Sequence, residues 1–305
     1  MEMSVQSIIH PVLALLISPL LLGVINRVKA VFAGRTGQPL LQSYYDIAKL
    51  LRKGAVYSTT SSWVFGAGPV VGLASVLVAL AIIPFGGVHA LLQFPGDLLL
   101  LAYVLGLMRF FTVIAALDTG SAFEGMGASR EVHFSALAEP CFLLCLAAVA
   151  CKTHSISLSV MIPGVNLDVW AEEGPALAMV AVALMTVLLA ENARIPIDDP
   201  NTHLELTMIH EVMVLDHSGP DLAFILYSAA LKLWVMGALL VGIVLPVHTG
   251  NLLVDIPAAL LGMVVLAILI GVIESTMARL RLLHIPQLLA GAGVIAVVAL
   301  ILILR

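Results

Sequence analysis

Carboxylates, imidazoles and one arginine crowd a single polar stretch, Glu191-Asn-Ala-Arg194-Ile-Pro196-Ile-Asp198-Asp199-Pro200-Asn201-Thr-His203-Leu-Glu205, which runs on through His210-Glu211 to Asp216-His217. Six carboxylates (Glu191, Asp198, Asp199, Glu205, Glu211 and Asp216) share one strong cation, Arg194, and three histidines. Repulsion among so many like charges raises the proton affinity of some of them toward neutrality. A chain of such groups passes protons or responds to charge on a neighbouring redox centre. A second set lies earlier: Arg109, Asp118, Glu124, Arg130, Glu131 and Glu139, the last followed by Pro140. An ionisable side chain inside a membrane helix is costly unless paired or wetted. Arg109 and Glu139 are therefore expected either to pair structurally or to act as a coupling group. Lys232 is expected either to snorkel to the cytoplasmic interface or to serve in the interior, and Glu274 either to enter a local ion pair at a helix terminus or to take a transport role.

Other chemistries find little support. His203-x-Glu205 and His210-Glu211 resemble metal ligands in type but not in the spacing of a zinc motif. No nucleophile elbow and no phosphate-binding Walker loop occur. Cys141, Cys145 and Cys151 are the only cysteines, none in a CxxC pair, and are expected to pack in the core. No metal site and no nucleic-acid surface are expected in this chain.

The elements that must position these groups follow from composition. Of 305 residues 61% are hydrophobic and only 11% charged, where soluble domains carry roughly 25% charged residues; the mean hydropathy is +1.11. Apolar runs of about twenty residues, enough to cross a hydrocarbon core of about 30 Å, recur along the chain. They are far longer than the strands of a membrane barrel, and a bilayer demands internally satisfied backbones, so the fold class is all-α, a polytopic helical bundle. Spans are expected near residues 8–28, 63–85, 97–117, 133–151, 174–193, 221–246, 253–274 and 286–304, the first retained and not a cleaved signal. Leu40, Leu41, Tyr44, Ile47, Ala48 and Leu51 alternate with Asp46, Lys49, Arg52 and Lys53 at helical spacing, the pattern of an amphipathic helix on the interface. After it, Asp199 is expected to cap a helix opened by Pro200, with Leu204, Met208, Val212 and Leu215 as a membrane-facing stripe.

Lysine and arginine placement orients the bundle. Arg27, Lys29, Arg35, Lys49, Arg52, Lys53, Arg130, Arg194, Arg279 and Arg281 fall on one side; Lys152 and Arg305 fall on the other. The chain is thus expected to be a single membrane domain over 1–305 in a prokaryotic cytoplasmic (inner) membrane, with cytoplasmic segments about 29–62, 118–132, 194–220 and 275–285 and both termini periplasmic. The outer connection with Lys152, Asp168, Trp170, Glu172 and Glu173 is expected to be a surface segment with an interfacial tryptophan.

Several stretches, in order, resemble one family. Gly34-Arg35-Thr-Gly37-Gln-Pro39-Leu-Leu-Gln42-Ser-Tyr-Tyr-Asp46-Ile-Ala-Lys49-Leu50 is similar to its first cytoplasmic signature. Leu117-Asp118-Thr119-Gly120-Ser121-Ala122-Phe123, Gly127-Ala128-Ser129-Arg130-Glu131, Glu139-Pro140 and Glu274-Ser275-Thr276-Met277-Ala278-Arg279-Leu280-Arg281 are similar to its hydrogenase branch. Glu191, Arg194, Pro196, Asp198, Glu205 and Leu206 match its acidic loop, while Asn201 and His203 stand where glutamates are usual and Asp216-His217-Ser218-Gly219 replaces E-Y-S-G. The family unites subunit 1 of respiratory complex I with the formate hydrogenlyase subunit 4 type of membrane subunit in group 4 nickel–iron hydrogenases.

The resemblance implies a non-catalytic anchoring and coupling subunit linking redox chemistry in a peripheral arm to proton or sodium movement. Its partners would be hydrogenase-like large and small subunits, an iron–sulfur protein and antiporter-like membrane subunits. Iron–sulfur clusters, and a nickel–iron centre if retained, would sit in those partners, with no cofactor in this chain. Glu139, Glu191, Asp198, Asp199, Glu205, Glu211, Asp118 and Glu131 would serve ion coupling. Arg109, Arg130, Arg194 and Lys232 would pair with them, and Arg35, Gln42, Asp46 and Lys49 would meet the peripheral arm. The alternatives are a quinone-site subunit of a complex I-like oxidoreductase and a freestanding secondary transporter.

Overall fold

A computed structural model describes residues 5–198 and 208–305. A short 3-10 turn, Val5–Ile8, leads into α1 (Ile9–Phe32); then come α2 (Gln42–Leu51), α3 (Trp63–Ile82), α4 (Asp97–Asp118), α5 (Ala122–Thr153), α6 (Leu158–Gly164), α7 (Leu167–Glu191), α8 (His210–Met213), α9 (Gly219–Val244), α10 (Leu252–Thr276) and α11 (Ile285–Ile303). Among the described residues eight helices are long and apolar enough to cross a membrane: α1, α3, α4, α5, α7, α9, α10 and α11. They coincide with the eight expected spans, and no strand occurs among the described residues. One end of the bundle, the basic end, carries the connections 33–62, 119–121, 192–198, 208–218 and 277–284 and holds most of the lysine and arginine.

Helix α9 is the axis. Of its most apolar stretch 72% is buried, against 28% for α11, and it packs on α1, α3, α7 and α10. Around it α3 lies against α4, α11 against α5 and α7, and α10 against α1. Without water to drive them together, membrane helices close up through small residues that let backbones approach. A Cβ on Gly271 would meet Val28 at 2.8 Å, joining α10 to α1, and one on Gly237 would meet Met263 at 3.0 Å, joining α9 to α10.

Helix starts follow local chemistry. Ser62, Asn166 and Asn251 accept the backbone N–H groups of Val64, Val169 and Leu253, capping α3, α7 and α10. Asp118, at the end of α4, accepts from the Ser62 N–H (2.7 Å) and hydroxyl (2.8 Å), tying the adjacent start of α3 to it. At the opposite end buried Asp97 accepts from the Leu158 N–H (2.7 Å) and the Ser157 hydroxyl (2.9 Å), fixing α6 to α4.

Three expectations change. Residues 122–132, expected as a loop, are the first turns of α5, whose 32 residues extend about 48 Å and so overrun the hydrocarbon core. Glu124, Arg130 and Glu131 look like loop residues because they are charged, yet each has a partner on the neighbouring backbone or helix. The membrane-facing stripe is not found among the described residues: Met208 and Val212 are buried, Leu215 is exposed, and between residues 208 and 218 only the single turn α8 is helical; Leu204, Asp199 and Pro200 lie outside the described residues. The outer connection holds α6 and a kink at Glu173 in α7, and Trp170 donates its indole N–H to the Ile243 carbonyl at 3.0 Å. Cys141 and Cys145 are buried, as expected of core packing.

Helix α8 and its flanks dock onto α5 through Gly127, where a Cβ would come within 2.9 Å of the Ile209 carbonyl and 3.0 Å of Met213. Gly127→Leu is expected to lower stability by about 1–3 kcal/mol through overpacking, read as a fall in the thermal midpoint of the purified protein in mild detergent.

Candidate functional site

Arg109, near the middle of α4, is the hub. Its guanidinium pairs with Glu131 (Nε to Oε1, 3.3 Å) and with Glu139, both from α5, and with Glu191 at the end of α7. Lys232, thirteen residues into α9, approaches the second Glu191 oxygen at 2.8 Å. Four helices thus converge on three carboxylates and two cations. Glu139, expected about two turns into its helix, lies seventeen residues into α5, about 25 Å along it. With Arg109 and Glu191 it borders a cavity of about 300 Å³, otherwise lined by Tyr103, Phe110, Phe142 and other apolar groups. Glu191 and Arg109 are buried, but the Glu139 side chain is 52% exposed on the outside of the chain. The expected Arg109–Glu139 pair exists, as part of a larger set.

Lys232 does not snorkel. It is buried and held by Glu191, because it lies on the buried middle of α9, where residues 230–241 are all enclosed. Nor does Glu274 pair locally: one oxygen meets Lys29 of α1 at 2.7 Å and the other meets Arg194 at 3.3 Å. Arg279 instead binds Asp198 at 2.8 Å, and the other Asp198 oxygen accepts from the Ile209 (3.1 Å) and His210 (3.0 Å) N–H groups. The acidic stretch is therefore not left to Arg194 alone; cations from α4, α9 and the α10–α11 connection meet it. Among the described residues this outer group sets Lys29, Arg194 and Arg279 against Asp198 and Glu274.

The remaining candidates spread out. Arg130 donates to the Met208 carbonyl at 2.8 Å, and Asp118 serves the start of α3. Glu211 sits half-buried in α8. Asp199 and Glu205, with Asn201 and His203, lie outside the described residues. Arg35, Asp46 and Lys49 are exposed at the basic end, where the Gln42 amide donates to Asp46 at 2.9 Å. The amphipathic α2 buries no residue within the chain, but its Tyr44 hydroxyl donates to the Leu16 carbonyl and anchors it to α1. Among the described residues no three His, Cys, Asp or Glu side chains group as metal ligands.

Sequence reasoning missed Lys29 as a partner and the collar where the 52–62 segment meets the start of α9. Gly219 (φ +54°) abuts the Gly54 backbone, where a Cβ would lie 2.6 Å from the carbonyl oxygen. The Val56 N–H donates to the Ser218 hydroxyl at 3.1 Å, and His217 stacks on Phe65 at 3.9 Å between ring centroids. Burial pushes the His217 imidazole below its ordinary range, against the opposing pull of Asp221 and Asp216.

Eight crossing helices around a buried ion-pair network, with an interfacial helix at the basic end, define a polytopic membrane subunit with a charged interior. The chain belongs to the family described as NADH dehydrogenase, which matches residues 5–304. It is 34% identical over 239 residues to hydrogenase-4 component C of Escherichia coli (strain K12), spanning 77% of this chain and 73% of that one. Identity to formate hydrogenlyase subunit 4 of the same organism is 31% over 271 residues, 85% of this chain and 87% of the relative. An NADH-quinone oxidoreductase subunit of Verminephrobacter eiseniae (strain EF01-2) is 27% identical over 210 residues, 66% and 57% of the two chains. A chain in the structure of the membrane-bound sulfane sulfur reductase, an archaeal respiratory membrane complex, covers 98% of each chain with a TM-score of 0.84 at 20% identity, and so shares the fold.

Two tests follow from this geometry. Removing the Arg109 guanidinium strands carboxylates in hydrocarbon, so Arg109→Gln is expected to destabilise by about 3–5 kcal/mol. Adding Glu191→Gln should recover part of that loss, measured as a double-mutant cycle of unfolding in detergent. For His217 the sign is set by its depressed folded value. As pH falls through about 6.5 the unfolded chain takes a proton that the folded chain refuses, so stability drops, levelling off below the folded value. His217→Phe, which keeps the stack on Phe65, should flatten the thermal midpoint across pH 7 to 5.

Proposed function

We propose that this chain is the membrane-embedded anchoring and coupling subunit of a hydrogenase-like, formate hydrogenlyase-like electron-transfer complex. The observation that carries the reading is the Arg109 group: three carboxylates against two cations, about midway through the bundle, beside a cavity that reaches the outer surface at Glu139. With all five ionised the group holds one negative charge in excess, and Glu139, its half-exposed member, is where that excess meets the outside of the chain. A carboxylate half-exposed at that depth needs water or a neighbouring subunit against it. We assign that neighbour as an antiporter-like membrane subunit, with Glu139 as the handover point for a proton or a sodium ion.

The outer Asp198–Glu274 group then lies between the Arg109 hub and the peripheral arm, Glu191 and Arg194 being three residues apart. The exposed face formed by Arg35, Asp46 and Lys49 receives that arm, and the basic end is cytoplasmic, with both termini periplasmic in a prokaryotic inner membrane and 1–305 acting as one membrane domain. Iron–sulfur clusters and any nickel–iron centre belong to the partner large, small and iron–sulfur subunits. The similarity to hydrogenase-4 component C and formate hydrogenlyase subunit 4, higher than that to the NADH-quinone oxidoreductase relative, supports this reading over a quinone-site subunit.

The test is to tag the chain, extract it gently from native membranes and assay what co-purifies for nickel and hydrogen production. A multi-subunit assembly is expected, and nickel with hydrogen evolution in it would bear out the hydrogenase reading; iron–sulfur partners without nickel would point to a hydrogenase-related or quinone-reducing relative, and a chain that emerges alone would revive the transporter. In sealed inverted vesicles, Glu139→Gln is expected to leave redox turnover and assembly intact while lowering the ratio of ions moved to electrons transferred. An unchanged ratio overturns the role given to Glu139.

A further inference from the structure

A second cavity lies away from the charged interior. Between α7 and α10, with α9 as its floor, a groove of about 770 Å³ opens to the side of the bundle. Val182 and Met185 line one wall, Leu261 and Val265 the other, and Val182, Leu261 and Val265 are more than half exposed. The groove runs from Val247, at the end of the bundle with the termini, to Met277 and Leu288 at the basic end. Its one hydroxyl, on Thr186, is spent on the Val182 carbonyl at 3.0 Å, so the walls offer nothing polar to a guest.

The basic mouth is different. The 277–284 connection crosses it from one wall to the other, held where the Leu280 N–H donates to the Pro196 carbonyl at 2.9 Å. Arg279 is engaged by Asp198. Arg281, two residues on, is exposed and makes no ion pair among the described residues. Behind it the outer group of Lys29, Arg194, Arg279, Asp198 and Glu274 carries one more cation than carboxylate among the described residues.

We infer that the groove holds one phospholipid with a net anionic headgroup, its acyl chains along α7, α9 and α10 and its phosphate on Arg281. An apolar slot along the bundle, open to the bilayer and bordered at its basic mouth by the connection that bears the exposed Arg281, matches the distribution of polarity in such a lipid. The inference is independent of the proposed coupling role.

The test is native mass spectrometry of the delipidated full-length chain in mild detergent, titrated with phosphatidylglycerol or with phosphatidylcholine of the same acyl chains. Wild type is expected to retain one phosphatidylglycerol about tenfold more tightly than phosphatidylcholine. Arg281→Gln should lose that preference, Arg281→Lys should keep most of it, and Val265→Trp should reduce both lipids by filling the slot. Arg281→Gln breaks no ion pair among the described residues, so an unchanged thermal midpoint without added lipid serves as its folding control. Equal retention of the two lipids by wild type, unaltered preference in Arg281→Gln, or a partner protein's helix seated between α7 and α10 in the assembled complex would overturn the inference.

Discussion

A guanidinium in the middle of a membrane bundle has to be neutralised from several directions, and the arrangement of this protein follows from that requirement. Arg109 on α4 draws Glu131 and Glu139 from α5 and Glu191 from α7, and Glu191 in turn holds Lys232 of α9. Each contact fixes a rotation and a depth for a helix whose apolar surface alone would slide. Hydrophobic matching to the bilayer sets how far each helix travels, but not which face it turns inward. The ionic contacts supply that register, and breaking one of them leaves a charge uncompensated in hydrocarbon, which is why the set is expected to act as a unit.

The same logic organises the basic end. Asp198 and Glu274 are met by Lys29, Arg194 and Arg279, so the start of the acidic loop, the end of α1 and the end of α10 are clamped together. Gly127 and Gly219 let backbone come close at this end, docking the α8 segment on α5 and the 52–62 segment on α9. A change of charge beside this clamp would bear on Arg194, which lies one turn of chain from Glu191 and the Arg109 hub. The two charged groups are thus joined by three residues of backbone between Glu191 and Arg194, the short connection along which the proposed coupling would run.

The spans were legible because length against hydrocarbon thickness is a one-dimensional property; all eight appear in the sequence, most within a few residues at both ends, and so does α2 as an amphipathic helix. The start of α5 was not. Glu124, Arg130 and Glu131 satisfy their charges through residues distant in the chain, and a local pattern reads them as loop. The candidates Arg109, Glu139, Glu191 and Arg194 stood out as charges within or beside apolar runs, but their partners did not. Lys29 and Glu274 come from opposite ends of the chain, and Lys232 looked like a surface lysine because nothing in its own neighbourhood says that α9 is the enclosed axis. Glu274 next to Arg279 and Arg281 suggested a local pair that tertiary contacts replace.

If the Arg109 group couples ion movement to redox chemistry, as proposed, its carboxylates change protonation or environment on electron transfer. Infrared difference spectroscopy of the assembled complex, taken between oxidised and reduced states with carbon-13 glutamate in this chain, addresses it directly. A protonated-carboxyl stretch that shifts with the isotope, changes on reduction, and is altered by both Glu139→Gln and Glu191→Gln is the result expected. A difference spectrum with no carboxyl change assignable to this chain, or one identical in the two variants and the wild type, would contradict it.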